Sequence, residues 1–187
     1  MNRLIVFNAV TVDGYFVGPN GDMNWAHDKN DAEWTKFTEN NAKGDCVLVF
    51  GRITYEIMSS WWPTPKAKDA MPVVADAMNR LPKVVFSRTL DQVSWNNTKL
   101  MKGDLVTEIQ KLKKTSERDL MIFGSGTLVS ELTQAGLIDE YQIVLHPTVL
   151  GHGRTMFEGV ARKLDLKRTD VRTFANGIIL SHYESKT

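Results

Sequence analysis

Three short apolar runs constrain this chain more than any other feature. Cys46-Val47-Leu48-Val49-Phe50 breaks off into Gly51-Arg52. The stretch from Lys83 to Ser87 breaks off into Arg88-Thr89, and Leu120-Met121-Ile122-Phe123 into Gly124-Ser125-Gly126. Runs this short, with no polar alternation, fit strands covered on both faces. Covering them requires helices, and helical patterns fall between the runs. Asp31 to Ala42 spaces Trp34, Phe37 and Thr38 on one side and stops at Lys43-Gly44. Ile53 to Trp62 is closed by Pro63, and Asp104 to Lys114 places Leu105, Ile109 and Leu112 on one face. Thr127 to Ala135 is stopped by Gly136. Leu4 to Val12 and Glu140 to His146 read as further strands. Val171 to Phe174 and Ile178 to Tyr183 flank Asn176-Gly177, a hairpin signal. The alternation predicts an α/β fold with a mostly parallel sheet, an antiparallel hairpin at its C-terminal edge and helices on both faces.

Composition bounds the rest. The chain has 187 residues, 42% hydrophobic and 24% charged, which fits one folded domain over 1–187. Its net charge of +1 supplies no basic field for nucleic acid. A single cysteine, Cys46, excludes an internal disulfide and a thiolate metal cluster, and its place in an apolar run makes it a buried, inert thiol. His27, His146, His152 and His182 are not spaced as metal pairs, so no metal is expected. No apolar run is long enough to cross a membrane, and the N-terminus does not read as a signal peptide. A cytoplasmic protein is expected.

The three strand ends look alike, each leading into small or polar residues and then a helix. In open α/β sheets ligands bind beyond the carboxyl ends of the strands. Glycine there admits a ligand to the backbone, and a helix N-terminus favours an anion. Arg52 and Arg88 could hold a phosphate, so the set suits a phosphorylated dinucleotide. On this reading Gly124 and Gly126 serve the ligand more than the fold, and Gly126→Val should fold normally while losing the cofactor. No G-x-G-x-x-G fingerprint is present. Asp13, Asp31 and Glu33 are the candidate acids. Asp13 stands in an Asp-Gly turn, and Asp31 and Glu33 at the start of a helix, so each has a structural reading beside the catalytic one. Trp61-Trp62 reads as packing, a subunit contact or the wall of a heterocycle site.

The ordered set Thr11-Val12-Asp13-Gly14-Tyr15, Gly51-Arg52-Ile53-Thr54-Tyr55-Glu56, Phe123-Gly124-Ser125-Gly126, and Ile138-Asp139-Glu140-Tyr141 followed by His146-Pro147-Thr148-Val149-Leu150-Gly151-His152-Gly153 and Phe157 resembles the dihydrofolate reductase superfamily. Within it, the chain is most similar to the C-terminal reductase domain of the bifunctional riboflavin-biosynthesis deaminase–reductase in stand-alone form. The resemblance runs from Leu4 to Tyr183. It implies a dihydrofolate reductase-like sheet of about eight strands and an NADPH-dependent reductase of a pteridine- or pyrimidine-type heterocycle, such as 5-amino-6-(5-phosphoribosylamino)uracil. It further implies that Gly51, Arg52 and Thr54 contact the cofactor phosphates, Ser87 and Arg88 the 2′-phosphate side, and Gly124, Ser125, Gly126 and Thr127 the pyrophosphate. Ala9 and Val10 would lie against the nicotinamide. Gly18 to Trp25 is similar to the mobile loop of dihydrofolate reductases. Counting spacings places the acid of that family at Asp31 or at Glu33. The resemblance also implies a homodimer, with Val149 to Gly153, Met156-Phe157 and Trp61-Trp62 as apolar surface. A non-catalytic NADP(H)-binding protein that kept the cofactor loops is the alternative.

Overall fold

The computed structural model describes residues 1–26 and 31–186; His27 lies outside them. Ten strands and six α-helices follow one another: β1 Leu4–Thr11, β2 Tyr15–Val17, α1 Ala32–Ala42, β3 Cys46–Gly51, α2 Arg52–Trp61, α3 Pro65–Ala70, α4 Pro72–Arg80, β4 Lys83–Phe86, β5 Thr98–Met101, α5 Leu105–Thr115, β6 Asp119–Phe123, α6 Gly126–Gln134, β7 Glu140–His146, β8 Arg154–Thr155, β9 Leu166–Thr173 and β10 Ile179–Ser185. Eight strands form one sheet in the order β5-β4-β3-β6-β1-β7-β10-β9, and β2 pairs β8 separately. From β5 to β7 every pairing is parallel; β7–β10 and β10–β9 are antiparallel. This is the sheet the alternation predicts, with the Asn176-Gly177 hairpin at its edge.

Alternate residues of each strand face opposite layers. Leu4, Val6, Val49, Val84, Leu120, Ile122 and Tyr141 pack with Leu105 and Ile109 of α5 and Leu128, Val129 and Leu132 of α6. Leu48, Phe50 and Val85 point the other way, onto Tyr55 of α2 and Ala77 and Met78 of α4. Farther along that second face, Val144 and Leu180 meet Trp34 and Phe37 of α1. Helices therefore cover both faces. Cys46 is half-buried, and burial pushes its thiol up to about 11, in keeping with an inert role.

One local expectation fails, and two helices were not foreseen. No helix follows Ser87-Arg88. The Ser87 hydroxyl accepts the Thr89 and Leu90 amides at 3.2 and 3.0 Å, and this serine turn leads through irregular chain to β5. The segment after Pro63, which carried no predicted helix, forms α3 and α4, each with proline in its first turn, where the missing N–H costs nothing.

Lys83 is the least expected core residue, 1% exposed at the start of β4. Its ammonium closes the end of α4, donating to Met78 O at 2.8 Å and Leu81 O at 2.6 Å, and lies 4.5 Å from the Trp95 ring centroid. Burial pulls its pKa down from 10.5 to about 8. In that interval the unfolded chain binds a proton that the native chain has shed, so stability rises with pH. Urea unfolding of wild type and Lys83→Met at about pH 8 and about pH 10 should show the wild type gaining on the variant. Parallel profiles would remove the depressed lysine.

Candidate functional site

Because β4, β3, β6 and β1 are parallel, their C-terminal ends share one edge. The register sets Gly51 beside Phe86, Val49 beside Ile122 and Phe7 beside Phe123. Three helices begin on this edge, α2 after β3, α6 after β6 and α5 after β5. Helices α1, α3 and α5 start on Asp31, Thr64 and Asp104, whose side chains accept a backbone N–H. Helices α2 and α6 start on Gly51 and Ser125 with no side-chain cap, as α4 does on Met71, where Pro72 occupies the first turn. The first-turn N–H groups of α2 and α6 are therefore left to another acceptor, and the dipoles favour an anion.

The two starts are tied together. Gly51 N–H donates to Ser125 Oγ at 2.7 Å, and Ser125 N–H to Thr54 Oγ1 at 3.0 Å. Asn8, 4% exposed in the middle of β1, fixes the turn from below. Its Oδ1 accepts Gly124 N–H at 2.6 Å and its Nδ2 donates to Gly124 O at 3.3 Å. Asn8 was not among the residues expected here. Its signal was a lone amide inside the apolar run Leu4 to Val10.

The glycines answer to the protein itself. A Cβ on Gly51 would stand 3.2 Å from Ser125 Oγ, and one on Gly124 would stand 3.0 Å from Thr54 Cγ2. A Cβ on Gly126 would lie 2.5 Å from Phe16 Cζ. Phe16, on β2, is 6% exposed and belongs to the core. The expectation that valine at 126 spares the fold is thereby overturned, because that space is already filled by a buried ring.

The cations and acids separate clearly. Arg52 Nη1 donates to both Glu56 carboxylate oxygens, at 3.1 and 2.9 Å, on the exposed side of α2. Arg88 is exposed and near Asp104, whose carboxyl is held below its ordinary value by the Thr107 amide and hydroxyl, with Arg88 adding to the effect. The Asp13 carboxylate accepts the Thr11 hydroxyl at 2.6 Å and the Leu150 and Gly151 amides at 3.0 and 2.7 Å. These bonds, that of Thr11 first, hold it below its ordinary value. Asp13 thus pins the turn after β1 to the loop after β7, alongside the Tyr15–Thr155 pairing of β2 and β8. Glu33 pairs with Arg172 of β9 at 2.8 Å. It lines a groove of about 520 Å³ with Lys36, Phe37, Asn40, Asn41 and Arg172, on the side of α1 that faces the sheet's free edge. Asp31 caps α1 through Trp34 N–H at 2.8 Å and accepts Asn176 N–H at 3.1 Å. It stands at the hairpin, beside the end of β7.

Between α1 and α2 the floor of the second face carries the Phe7–Phe123 ring pair, 5.4 Å apart. Trp61 follows Thr54 by two helical turns and so shares its side of α2. Ile57 and Trp61 stay 51% and 42% exposed there. Trp62 instead packs against the Tyr55–Met78 cluster, so the tryptophan pair splits between core and surface. Met156 is likewise core, at 2% exposed, whereas Val149 and Phe157 remain on the surface. His146 ends β7 buried, edge-on to Trp25 at 5.3 Å. The Gly18 to Trp25 stretch forms two short 3₁₀ turns, Pro19–Gly21 and Asn24–Ala26.

The comparisons with known proteins agree with this architecture. An uncharacterized protein of Bacillus subtilis (strain 168), YyaP, is 30% identical over 177 residues, 95% of this chain and 92% of its own length. A putative riboflavin biosynthesis protein from Shewanella sp. PV-4 superposes with a TM-score of 0.74 at 23% identity, over 99% of both chains. A diaminohydroxyphosphoribosylaminopyrimidine deaminase/5-amino-6-(5-phosphoribosylamino)uracil reductase from Thermotoga maritima gives 0.67 at 15% identity, over 99% of this chain and 57% of that one. Dihydrofolate reductase from Enterococcus faecalis, complexed with NADP(H), gives 0.62 at 18% identity, over 99% and 97%. The fold is thus that of the dihydrofolate reductases. The model of the RibD C-terminal domain matches residues 2–180, and the chain belongs to that family.

Proposed function

We propose that this chain is an NADPH-dependent reductase of a flat pteridine- or pyrimidine-type heterocycle, read as one domain over 1–187 and working in the cytoplasm. The observation that carries the reading is the pair of uncapped helix N-termini held side by side at the ends of β3 and β6. The donors there fit a dinucleotide diphosphate. Arg52 and Thr54 would hold it from α2 and the Gly126 and Thr127 amides from α6, with Gly51, Gly124 and Ser125, whose own N–H groups are taken within the protein, shaping the turns between them. Ser87 and Arg88 would meet the 2′-phosphate. Ala9 and Val10, at the end of β1, would support the nicotinamide ring. Bound NADPH supplies a hydride. The chain's own part is to fix the cofactor's position, to wall off the substrate with Phe7, Phe123, Ile57 and Trp61, and to manage the proton.

Of the three acids, Asp31 is placed best for that last task. Asp13 is committed to a loop and Glu33 to the far side of α1. Both Asp31 oxygens already accept backbone N–H groups, and this favours one rival, a protein that binds NADP(H) without turning it over. Loss of NADPH absorbance on a panel of pterins, 5-amino-6-(5-phosphoribosylamino)uracil and related pyrimidines, run beside NADPH titrations, separates them. Turnover supports the reductase. Binding with no turnover supports the rival, and no binding sinks both. The exposed Val149, Phe157 and Trp61 support a homodimer, and light scattering should return twice the chain mass of 21.1 kDa. A mass of one chain at every concentration would leave those side chains without a partner copy.

A further inference from the structure

The bonds between α2 and α6 have a direction. Gly51 N–H donates to Ser125 Oγ at 2.7 Å, and Ser125 O–H donates onward to Thr54 Oγ1 at 2.9 Å. Thr54 Oγ1 also accepts Ser125 N–H at 3.0 Å. A hydroxyl has two acceptor positions and one hydrogen. Both acceptor positions of Thr54 are taken by Ser125, so the one thing its hydroxyl can still do is donate.

Ser125 makes these bonds from an awkward backbone. It sits at φ 56 and ψ 60, the left-handed region that glycine enters freely and serine does not. Strain of this kind persists where the surroundings hold it. Here its neighbours are shaped to do so. Gly51 leaves room for the Ser125 hydroxyl and Gly124 for the Thr54 side chain, both at contacts tighter than a Cβ would ordinarily make. The Gly124 peptide is fixed in turn by the buried Asn8 amide.

We propose that Ser125 is a positioning residue that acts through Thr54: the one-way hydroxyl relay locks the two helix starts together and presents Thr54 as a donor to a diphosphate-type anion. This rests on the cofactor reading above. Ser125 differs on this view from Thr54, Arg52 and the first-turn amides, because its own hydroxyl is spent inside the protein.

A double-mutant cycle tests the relay with Ser125→Gly, Thr54→Val and the double variant. Glycine tolerates the left-handed backbone, and valine keeps the shape of threonine. NADPH dissociation constants are read by fluorescence titration, with inorganic pyrophosphate as a second probe and thermal unfolding as the folding control. Each single variant should bind roughly tenfold more weakly, the double variant no more weakly than Thr54→Val, and Thr54→Ser as well as wild type. Additive losses, or undiminished binding by Ser125→Gly, would overturn the relay. If wild type binds pyrophosphate but not NADPH, and the same cycle governs pyrophosphate, the relay stands and the cofactor reading falls. Failure of wild type to bind either probe removes both. A variant that loses its cooperative thermal transition is replaced in the cycle by Thr54→Ser with Ser125→Ala, where loss of binding despite the retained Thr54-position hydroxyl supports the relay and retained binding refutes it.

Discussion

Gly126→Val should melt well below the wild type, with or without cofactor. The new Cβ would lie 2.5 Å from Phe16 Cζ and 2.9 Å from Phe16 Cε1, and the γ-methyls need further space. Phe16 cannot swing outward, because it is 6% exposed and packed in the main core with Leu128 and Met156. Overpacking of this kind costs about 3 kcal/mol. For a chain of this length that corresponds to a drop of roughly 6–12 °C. Differential scanning calorimetry on the apo protein reads it directly. Pairing Gly126→Val with Phe16→Leu should recover part of the loss, since the smaller side chain vacates the contact. An apo midpoint equal to that of wild type would return Gly126 to the ligand alone.

Replacing Arg88 by alanine should weaken NADPH more than NADH, whereas Arg52→Ala, at the diphosphate that both cofactors share, should weaken both. The two cofactors differ by one 2′-phosphate, and a phosphate is held by fixed cationic donors. Losing one charged hydrogen-bonded partner costs about 1.5–3 kcal/mol, a tenfold loss or more in affinity for NADPH. Arg88 alone should show a selectivity change. Arg52 already spends its guanidinium on Glu56, and an exposed pair of this kind is worth little, so it can be recruited at small cost. Titrations of both variants with both cofactors decide the matter. Equal losses for NADPH and NADH in Arg88→Ala would mean that Arg88 does not read the 2′-phosphate.

The parts of this molecule that were legible in the sequence are those fixed by local chemistry. The runs at Cys46, Lys83 and Leu120 have no polar alternation because both faces of their strands are covered, and Asn176-Gly177 can turn where few other pairs can. The shared edge of β3, β4 and β6 follows from their parallel order, and so do the helix starts at Gly51 and Gly126. What was hidden depends on contacts between distant residues. Nothing near Gly126 announces that Phe16 fills its Cβ position, 110 residues away in sequence. The partners of Asp13 at Leu150 and Gly151 are as remote. Glu33 and Asp31 could not be separated by counting, because what distinguishes them is Arg172 on one side of α1 and Asn176 at its start. Helices α3 and α4 were masked by three prolines that look like breaks and turn out to include two first-turn residues.

The strand order carries a consequence for how the chain is made. The first strand, β1, is flanked in the finished sheet by β6 and β7, with Leu4 beside Leu120 and Ile5 beside Glu140. A nascent chain that has not yet reached residue 119 therefore holds one of its most apolar strands with neither neighbour. Of the eight strands, β3, β4 and β5 alone can pair among themselves at that stage. Contacts of such long range are slow to form. Until they do, the exposed edges of β1 and β3 are open to strands of other chains. Synthesis of this protein thus passes through a long interval in which association with a neighbour competes with completion of its own sheet, and that interval closes only once β6 and then β7 are available.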